Sequence, residues 1–322
     1  MRNGVDNMGQ RANGQLRHPL RFVFFGESIV SDWGNPVATT VRAVMRALTA
    51  AGHEALFLEE RRNRATVELL RARESSAVRA FAERYADLHY RTYDLPSGLE
   101  RTVWFVRQVA TVDAVVVMDG APEGDSEEAA RLDTRHLTRV YWSARSDPAA
   151  APWAELWLSP EGARAPSRAV VCGPAVERQP VQPDLPRSGV LLVAYDDRET
   201  VEAARRALAG LDPECVSAGT VAGDEWPFVP EVALNERYRR ARVAVVAGAG
   251  DDPFAAAREL LPVAAGCPVV AAKDAVDRPG WVADMLARAP LEPVELPARY
   301  DAAVAAERLV EAVRQARLVR LS

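Results

Sequence analysis

Short apolar runs alternate with amphipathic stretches from residue 20 onward. Arg21–Phe25 (RFVFF) has the pattern of a buried strand, and residues 37–51 place their apolar side chains on one face of a helix. Strands that alternate with helices predict an α/β protein whose parallel sheets carry helices on both faces, and right-handed crossovers favour the doubly wound arrangement. The other predicted strands are 54–58, 89–93, 113–118, 137–142, 155–158, 169–172, 190–194, 214–217, 243–247 and 268–272.

One proline-rich stretch interrupts this alternation near the middle of the chain. Residues 173–188 contain four prolines and show no periodicity, which is typical of an interdomain linker. We therefore predict two Rossmann-like domains that face each other across a central cleft, with the C-terminal helix packed back on the first domain. The predicted boundaries are a disordered leader at 1–19, the first domain at 20–172, the linker at 173–188, the second domain at 189–300 and the C-terminal helix at 301–322.

The composition of the chain excludes several classes of protein. The 322 residues are 48% hydrophobic and 26% charged, which is typical of globular chains long enough for two cores. The net charge of −5 argues against a nucleic-acid binder with a broad basic face. No apolar run reaches the length of a membrane span, and the first residues lack the apolar core of a signal peptide. Three scattered cysteines favour neither a disulfide framework nor a zinc cluster and suit a cytoplasmic protein.

Ligands of open α/β sheets bind beyond the carboxyl ends of strands, so the loops at those ends are the candidate sites. The loop 26–36 is too long for a plain strand-to-helix connection and lacks the G-x-G-x-x-G pattern of dinucleotide sites. We predict that it contacts a ligand. The alternative is an ordinary loop in which Asn35 caps a helix that begins at Pro36. The candidate substrate-binding residues of this loop are Gly26, Glu27, Ser28, Trp33 and Asn35.

Two further loops carry chemically useful groups. Residues 119–125 place three acidic side chains at the end of an apolar strand, where a carboxylate can serve as a general base, although Asp-Gly and proline are also turn residues. Residues 247–254 place two glycines before a predicted helix at 253–265, and a helix N-terminus with exposed amides suits phosphate oxygens. A simple tight turn explains that loop equally well.

Two segments in this order resemble a known family. RFVFFGESIVSDWGNPVATTVRAVMRALTAAGHEALFLE, at residues 21–59, resembles the start of GT-B-fold glycosyltransferases in the branch related to spore-maturation glycosyltransferase-like proteins. ERYRRARVAVVAGAGDDPFAAARELLPVAAGCPVVAAKDAVDRPGW, at residues 236–281, resembles the donor-domain signature of the same branch. The resemblance covers about 90 residues directly.

The resemblance implies a GT-B-like fold and transfer of a sugar from a nucleotide diphosphate donor to a hydroxyl acceptor without a metal. The donor would bind the second domain and the acceptor the first, with Asp32 or Asp119 as the catalytic base. No separate cofactor is expected, because the nucleotide-sugar is a co-substrate. The resemblance is compatible with either a monomer or a homo-oligomer. The nucleotide-sugar site would comprise Arg198, Gly248, Gly250, Asp251, Arg258 and Glu259.

One position departs from the family pattern. Related enzymes keep a glutamate five residues before the glycine of A-A-G, and this chain has Leu261 there, followed by Pro262. An acid occurs two residues earlier at Glu259, which helix pitch turns by about 200°. The alternative is therefore a catalytically degenerate GT-B module that binds a nucleotide, a glycan or a partner protein. A third hypothesis is another two-domain Rossmann protein, such as a sugar epimerase or a periplasmic-type binder.

Overall fold

A computed structural model describes most of the chain. The described residues are 18–29, 36–94, 98–132, 136–143, 151–160, 169–180, 185–195, 197–219, 226–247, 254–288 and 293–321. The strands are β1 Arg21–Phe25, β2 Glu54–Glu60, β3 Tyr90–Tyr93, β4 Ala114–Met118, β5 Thr138–Trp142, β6 Leu156–Ser159, β7 Ala169–Val171, β8 Ser188–Ala194, β9 Glu214–Ser217, β10 Ala241–Ala247 and β11 Val269–Ala271. The helices are α1 Pro36–Ala50, α2 Arg64–Arg84, α3 Gly98–Val109, α4 Glu123–Arg131, α5 Arg198–Ala207, α6 Glu231–Arg240, α7 Ala256–Ala264, α8 Ala272–Asp277, α9 Pro279–Ala287 and α10 Ala302–Leu321.

The first lobe is built on a seven-stranded parallel sheet in the order β3-β2-β1-β4-β5-β6-β7. All five residues of β4 are buried, as expected for a central strand with helices on both faces. One face packs against α1, α2 and α10, and the other face packs against α3 and α4. The order reverses between β1 and β4, which places the switch point of the sheet at the carboxyl ends of these two strands.

The second lobe is built on a smaller parallel sheet in the order β11-β10-β8-β9. Strands β8 and β10 share the longest register of this sheet, from Ser188 opposite Ala241 to Ala194 opposite Ala247. Helices α6 and α7 cover one face, and α5, α8 and α9 cover the other. The switch point lies between β8 and β10. The predicted fold class, an α/β protein with two Rossmann-like sheets, is confirmed.

The chain crosses between the lobes twice, and the two crossings lie side by side. The amide of Val176 donates to the Tyr300 carbonyl at 3.0 Å, and the amide of Ala302 donates to the Val176 carbonyl at 3.1 Å. Helix α10 begins at the second crossing and packs on α1 and on the β5–β7 edge of the first sheet. The prediction that the C-terminal helix packs back on the first domain is therefore confirmed.

Two local predictions differ from the structure. Residues 119–125 were expected to form a loop or turn, and α4 begins inside this segment, at Glu123. The helix predicted at 253–265 begins at Ala256 instead, after a turn at Phe254 and Ala255. The side chain of Phe254, in the turn that precedes the helix, is buried in the core of the first lobe, which accounts for the later start.

Candidate functional site

The carboxyl ends of both sheets meet where Phe254 crosses from the second lobe to the first. Phe254 follows the carboxyl end of β10, is 1% exposed and packs its ring 6.2 Å from the ring of Trp142, the last residue of β5. A Cβ placed on Gly173 would lie 3.1 Å from the Phe254 ring and 3.2 Å from Thr40 Cγ2, and Gly173 has a φ of +112°. Only glycine lets the first crossing pass between α1 and this ring.

Glu27 and Gly120 lie together at the switch point of the first sheet. Glu27 follows β1, and Gly120 follows β4, the neighbouring strand. Gly120 has a φ of +80°, and a Cβ placed on it would lie 3.0 Å from Glu27 Cβ and 3.3 Å from Glu27 Oε2. The glycine thus makes room for the glutamate side chain at the switch point, where this class of sheet binds ligands.

Burial raises the pKa of the Glu27 carboxyl above its ordinary value. Desolvation is the largest cause, and the charge of Arg64 opposes it while the charge of Glu68 adds to it. The side chain is half-buried, so it remains open to a ligand. A carboxylate with a raised pKa is a stronger base than an exposed one, which suits proton abstraction from a hydroxyl group.

The raised pKa of Glu27 predicts a pH-dependent effect on stability. The unfolded chain releases this proton near pH 4.5, and the folded chain releases it at higher pH. Between these two values the folded state binds more protons, so the free energy of unfolding falls as pH rises. We expect Glu27→Gln to increase the free energy of unfolding at pH 7, with the gain shrinking to zero below pH 4.5. Urea unfolding of both proteins across this range measures it, and a pH-independent difference would contradict the assignment.

Asp119 lies beside Gly120, and its carboxylate is held by β5. The Tyr141 hydroxyl donates to Asp119 Oδ1 at 2.6 Å, and the Ser143 hydroxyl donates to Oδ2 at 2.7 Å. Each carboxylate oxygen therefore already accepts a hydrogen bond from the neighbouring strand end. This arrangement fixes the side chain at the end of β4.

The third acid of this segment faces the interior. Asp125 is fully buried, and it accepts hydrogen bonds from the Tyr93 hydroxyl at 2.6 Å and from Arg101 Nη2 at 2.9 Å. Burial raises the pKa of Asp125, and the two hydrogen bonds oppose that effect. The cluster joins β3, α3 and α4, so we interpret it as part of the structure that supports the site.

Two hydrogen bonds fix the backbone of Ile29, at the start of the β1–α1 connection. Its amide donates to Glu59 Oε2 at 2.7 Å, and its carbonyl accepts from Arg42 Nη1 at 2.9 Å. The preceding Ser28 is buried, with its hydroxyl 3.4 Å from that of Thr66. These contacts fix the backbone two residues after Glu27, so Glu27 stands on an anchored segment.

In the second lobe, Arg258 lies at the switch point between β8 and β10. Tyr195 follows β8, and the Arg258 guanidinium of α7 sits 4.5 Å from the centre of its ring. Arg258 is 5% exposed, which is rare for an arginine and costs desolvation energy unless the charge interacts with its surroundings. The geometry places a positive charge in the first turns of α7, close to the carboxyl edge of the sheet.

Glu259 and Leu261 point to different sides of α7, as their spacing requires. Leu261 is buried and faces α1 and α6, where it lines the space between the lobes. Burial and the neighbouring charge of Asp274 on α8 raise the pKa of Glu259, which places its carboxyl on the α8 side. Glu259 therefore does not occupy the side of α7 that carries Leu261.

The remaining predicted site residues divide into two groups. Arg198 is exposed at the first position of α5, beyond the carboxyl end of β8. Gly26 is buried directly after β1. The others lie outside the described residues: Asp32, Trp33, Asn35, Gly248, Gly250 and Asp251. Among the described residues, no three His, Cys, Asp or Glu side chains are grouped so that they could hold a metal ion. The described helices also include none with the length and apolar character to cross a membrane.

A polar contact that the sequence does not predict joins the two lobes. Glu231 Oε2, at the first position of α6, accepts hydrogen bonds from the Thr39 hydroxyl at 2.7 Å and from Arg42 Nη2 at 2.5 Å. These residues border a cavity of about 580 Å³ between α1 and α6, which Asn235 and Leu261 also line. Arg42 is 2% exposed, and the apolar spacing of α1 alone gives no sign that a charged residue is buried there.

Comparisons with known structures identify the architecture. An alpha-glucosyltransferase in complex with UDP superposes with a TM-score of 0.56 and 8% identity, over 94% of this chain and 100% of the other. A UDP-GlcNAc 2-epimerase from Methanocaldococcus jannaschii, with UDP-GlcNAc and UDP, gives 0.49 and 10% identity, over 92% and 99%. MurG from Acinetobacter baumannii gives 0.46 and 12% identity, over 92% and 99%.

The chain has a GT-B-like fold. Its two lobes, each built on a parallel sheet with helices on both faces, correspond to the two Rossmann-like domains of this fold. Neither a protein-family model nor a curated protein sequence matches the chain. The likeness at 8% identity thus establishes the GT-B fold, and the activity has to be argued from the site.

Proposed function

We propose that this protein transfers a sugar from a nucleotide diphosphate donor to a hydroxyl acceptor, without a metal ion. The observation that carries the proposal is the junction at Phe254, where the carboxyl edges of the two sheets meet. Glu27 lies at the switch point of one sheet and Arg258 at that of the other. Metal-independent sugar transfer requires a base for the acceptor hydroxyl and a cation for the leaving diphosphate.

In the proposed reaction, the acceptor hydroxyl oxygen attacks the anomeric carbon of the donor sugar. The bond from that carbon to the diphosphate oxygen breaks, and the nucleoside diphosphate leaves with the electron pair. Glu27 takes the proton of the acceptor hydroxyl. Arg258 and the positive N-terminal end of α7 stabilise the negative charge that develops on the leaving diphosphate.

Glu27 is a better candidate for the base than Asp119 or Asp32. Both carboxylate oxygens of Asp119 accept hydrogen bonds from β5, whereas the Glu27 carboxyl has a raised pKa and remains half-exposed beside Gly120. Asp32 lies outside the described residues, as do Gly248, Gly250 and Asp251 in the proposed diphosphate loop. The described residues on either side of that loop are Ala247, the last residue of β10, and Phe254, which is buried in the core of the first lobe.

Binding of nucleoside diphosphates tests the donor site. We expect saturable calorimetric binding of one member of a panel of UDP, GDP and dTDP in buffer with EDTA. Arg258→Met removes the proposed charge partner of the diphosphate, so it should weaken that binding by about 10- to 100-fold, the value of one or two charge-assisted hydrogen bonds.

A matched control tests whether the loss of nucleotide affinity is specific to Arg258 or follows the removal of any arginine that stacks on an aromatic ring. Arg299 also stacks on an aromatic ring, 4.8 Å from the centre of Tyr300, but it lies at the second crossing. Arg299→Met should leave nucleotide affinity unchanged. Arg258→Lys, which keeps the charge, covers the case in which Arg258→Met does not fold. Absence of binding to every nucleotide in the panel would contradict the proposed function.

A catalytically degenerate GT-B module is the second candidate, and Leu261 favours it. The resemblance implies a glutamate that holds donor hydroxyls at this position, and the chain presents a buried leucine that faces α1 and α6. Incubation with a panel of nucleotide-sugars and acceptors, followed by mass spectrometry, distinguishes the two functions. Nucleotide binding with no glycosylated product and no donor hydrolysis would support the degenerate module.

A further inference from the structure

The polar contact between the lobes is continuous with the anchor of the β1–α1 connection. Arg42 is the shared member, because Nη2 donates to Glu231 of the second lobe and Nη1 donates to the Ile29 carbonyl of the first. Its guanidinium also lies 5.0 Å from the centre of the Tyr85 ring, on the side of α2. One buried side chain therefore contacts both the second lobe and the backbone two residues after Glu27.

Glu231 is itself held by the ligand-binding edge of its own lobe. The segment that leads into α6 runs along the carboxyl end of β9, where the Ser217 amide donates to the Pro227 carbonyl at 3.1 Å and the Val229 amide donates to the Ser217 carbonyl at 2.8 Å. Glu231 follows two residues later. Its position thus depends on the carboxyl edge of the second sheet, where nucleotides bind in this class of fold.

We propose that Glu231 is a positioning residue that aligns the proposed base, Glu27, with the second lobe. This proposal rests on the proposed function. Glu231 orients Arg42, Arg42 holds the Ile29 carbonyl, and the fixed backbone at Ile29 sets where the Glu27 carboxylate points. The Arg42–Glu231 contact forms only when the two lobes have the relative placement seen here. The segment that carries Glu27 is therefore ordered in the same arrangement that brings the second lobe close to it.

The chemistry of the contact suits this role better than a role in general stability. The Arg42 and Glu231 side chains are 2% and 15% exposed, and breaking a buried ion pair from one side leaves a buried charge that must rearrange. Arg42 cannot rearrange without moving its bond to Ile29. A merely structural ion pair would lack this link to the backbone next to the reacting group.

Hydrogen exchange of the β1–α1 segment tests the proposal without relying on activity. In Glu231→Gln we expect faster exchange of peptides that cover Ile29, whose amide is bonded to Glu59 in the intact protein. The control is Asp87→Asn, which breaks the Arg46–Asp87 pair one turn further along α1, where Arg46 Nε lies 2.6 Å from Asp87 Oδ2. This control should leave the exchange unchanged, and equal exchange in Glu231→Gln and the intact protein would overturn the proposal.

Kinetics then test the link to catalysis. Glu231→Gln should raise the KM for the acceptor or lower kcat by about tenfold or more, since a small misplacement of reacting groups has effects of this size. The affinity for the nucleoside diphosphate should stay within twofold, and the acidic limb of the pH profile should shift. Unchanged kinetics and pH profile would overturn the proposal, whereas a failure of the proposed function would appear as absent nucleotide binding in the intact protein.

A smaller perturbation covers the case in which Glu231→Gln does not fold. Thr39→Val removes only the hydroxyl that donates to the same oxygen, Glu231 Oε2, and leaves the Arg42–Glu231 pair in place. It should change exchange and acceptor KM in the same direction, by less. No change in either measurement with this folded variant would count against the role of Glu231.

Discussion

We expect the proposed sugar transfer to fall by about 10²- to 10⁴-fold when Glu27 is replaced by glutamine, the range expected for loss of a general base. The amide has nearly the same size as the carboxylate and fits beside Gly120, but it cannot accept the acceptor proton at neutral pH. We therefore expect nucleotide affinity to match that of the intact protein while kcat falls. Initial rates from product mass spectrometry, together with calorimetric affinity, measure the two effects separately.

The pH dependence of this variant gives a sharper result than its rate. In the intact protein kcat/KM should fall at low pH as Glu27 is protonated, with a midpoint above the ordinary glutamate value because burial raises its pKa. That limb should vanish in Glu27→Gln. Asp119→Asn is the matched control, and it should keep the limb because Asp119 is held by Tyr141 and Ser143. A limb that vanishes in Asp119→Asn and persists in Glu27→Gln would assign the base to Asp119.

Phe254→Ala should lower the free energy of unfolding by about 3–5 kcal/mol, the usual cost of deleting a fully buried phenylalanine. The ring is 1% exposed, lies 6.2 Å from the Trp142 ring of the first lobe and borders Gly173 of the first crossing. Equilibrium urea denaturation followed by circular dichroism measures the change.

Two controls belong to the Phe254 prediction. Phe254→Leu keeps most of the apolar volume and should cost less than about 1.5 kcal/mol. Leu318→Ala removes a similar apolar group from the exposed side of α10, where the side chain is 67% exposed, and should change stability by less than about 0.5 kcal/mol. A loss below about 1 kcal/mol for Phe254→Ala would show that the two lobes are not joined by this ring.

Hydrophobic periodicity was sufficient to predict the architecture, because parallel strands are buried on both faces and alternate with helices. It failed at α4, where the sequence EGDSEEAAR has few apolar positions and follows turn residues, so the helix had no periodic signal. It also misplaced the start of α7. Asp252 and Pro253 have the pattern of a helix start, but the packing of Phe254 in the other lobe delays the helix to Ala256.

The candidate site was only partly predictable for the same physical reason. Loops beyond strand ends are visible in a sequence, and they led to Glu27 and Asp119, whereas the family resemblance led to Arg258. The Asp119 carboxylate is hydrogen-bonded to Tyr141 and Ser143 because β5 lies next to β4, and the sequence does not reveal that these two strands pair. The Arg42–Glu231 contact joins residues 189 positions apart and two lobes, so no local pattern could reveal it.

The return of α10 to the first lobe has a consequence for the synthesis of the chain. Ala305, Leu309 and Val313 are buried in the same core as the first strands, and Arg320 Nη1 donates to the Leu137 carbonyl at 2.7 Å. When the ribosome has completed β1 to β7, this core still lacks the side chains that α10 contributes to it. The apolar core of the first lobe therefore stays partly exposed until the second lobe and α10 have been synthesised. During this interval the exposed surface is available to chaperones.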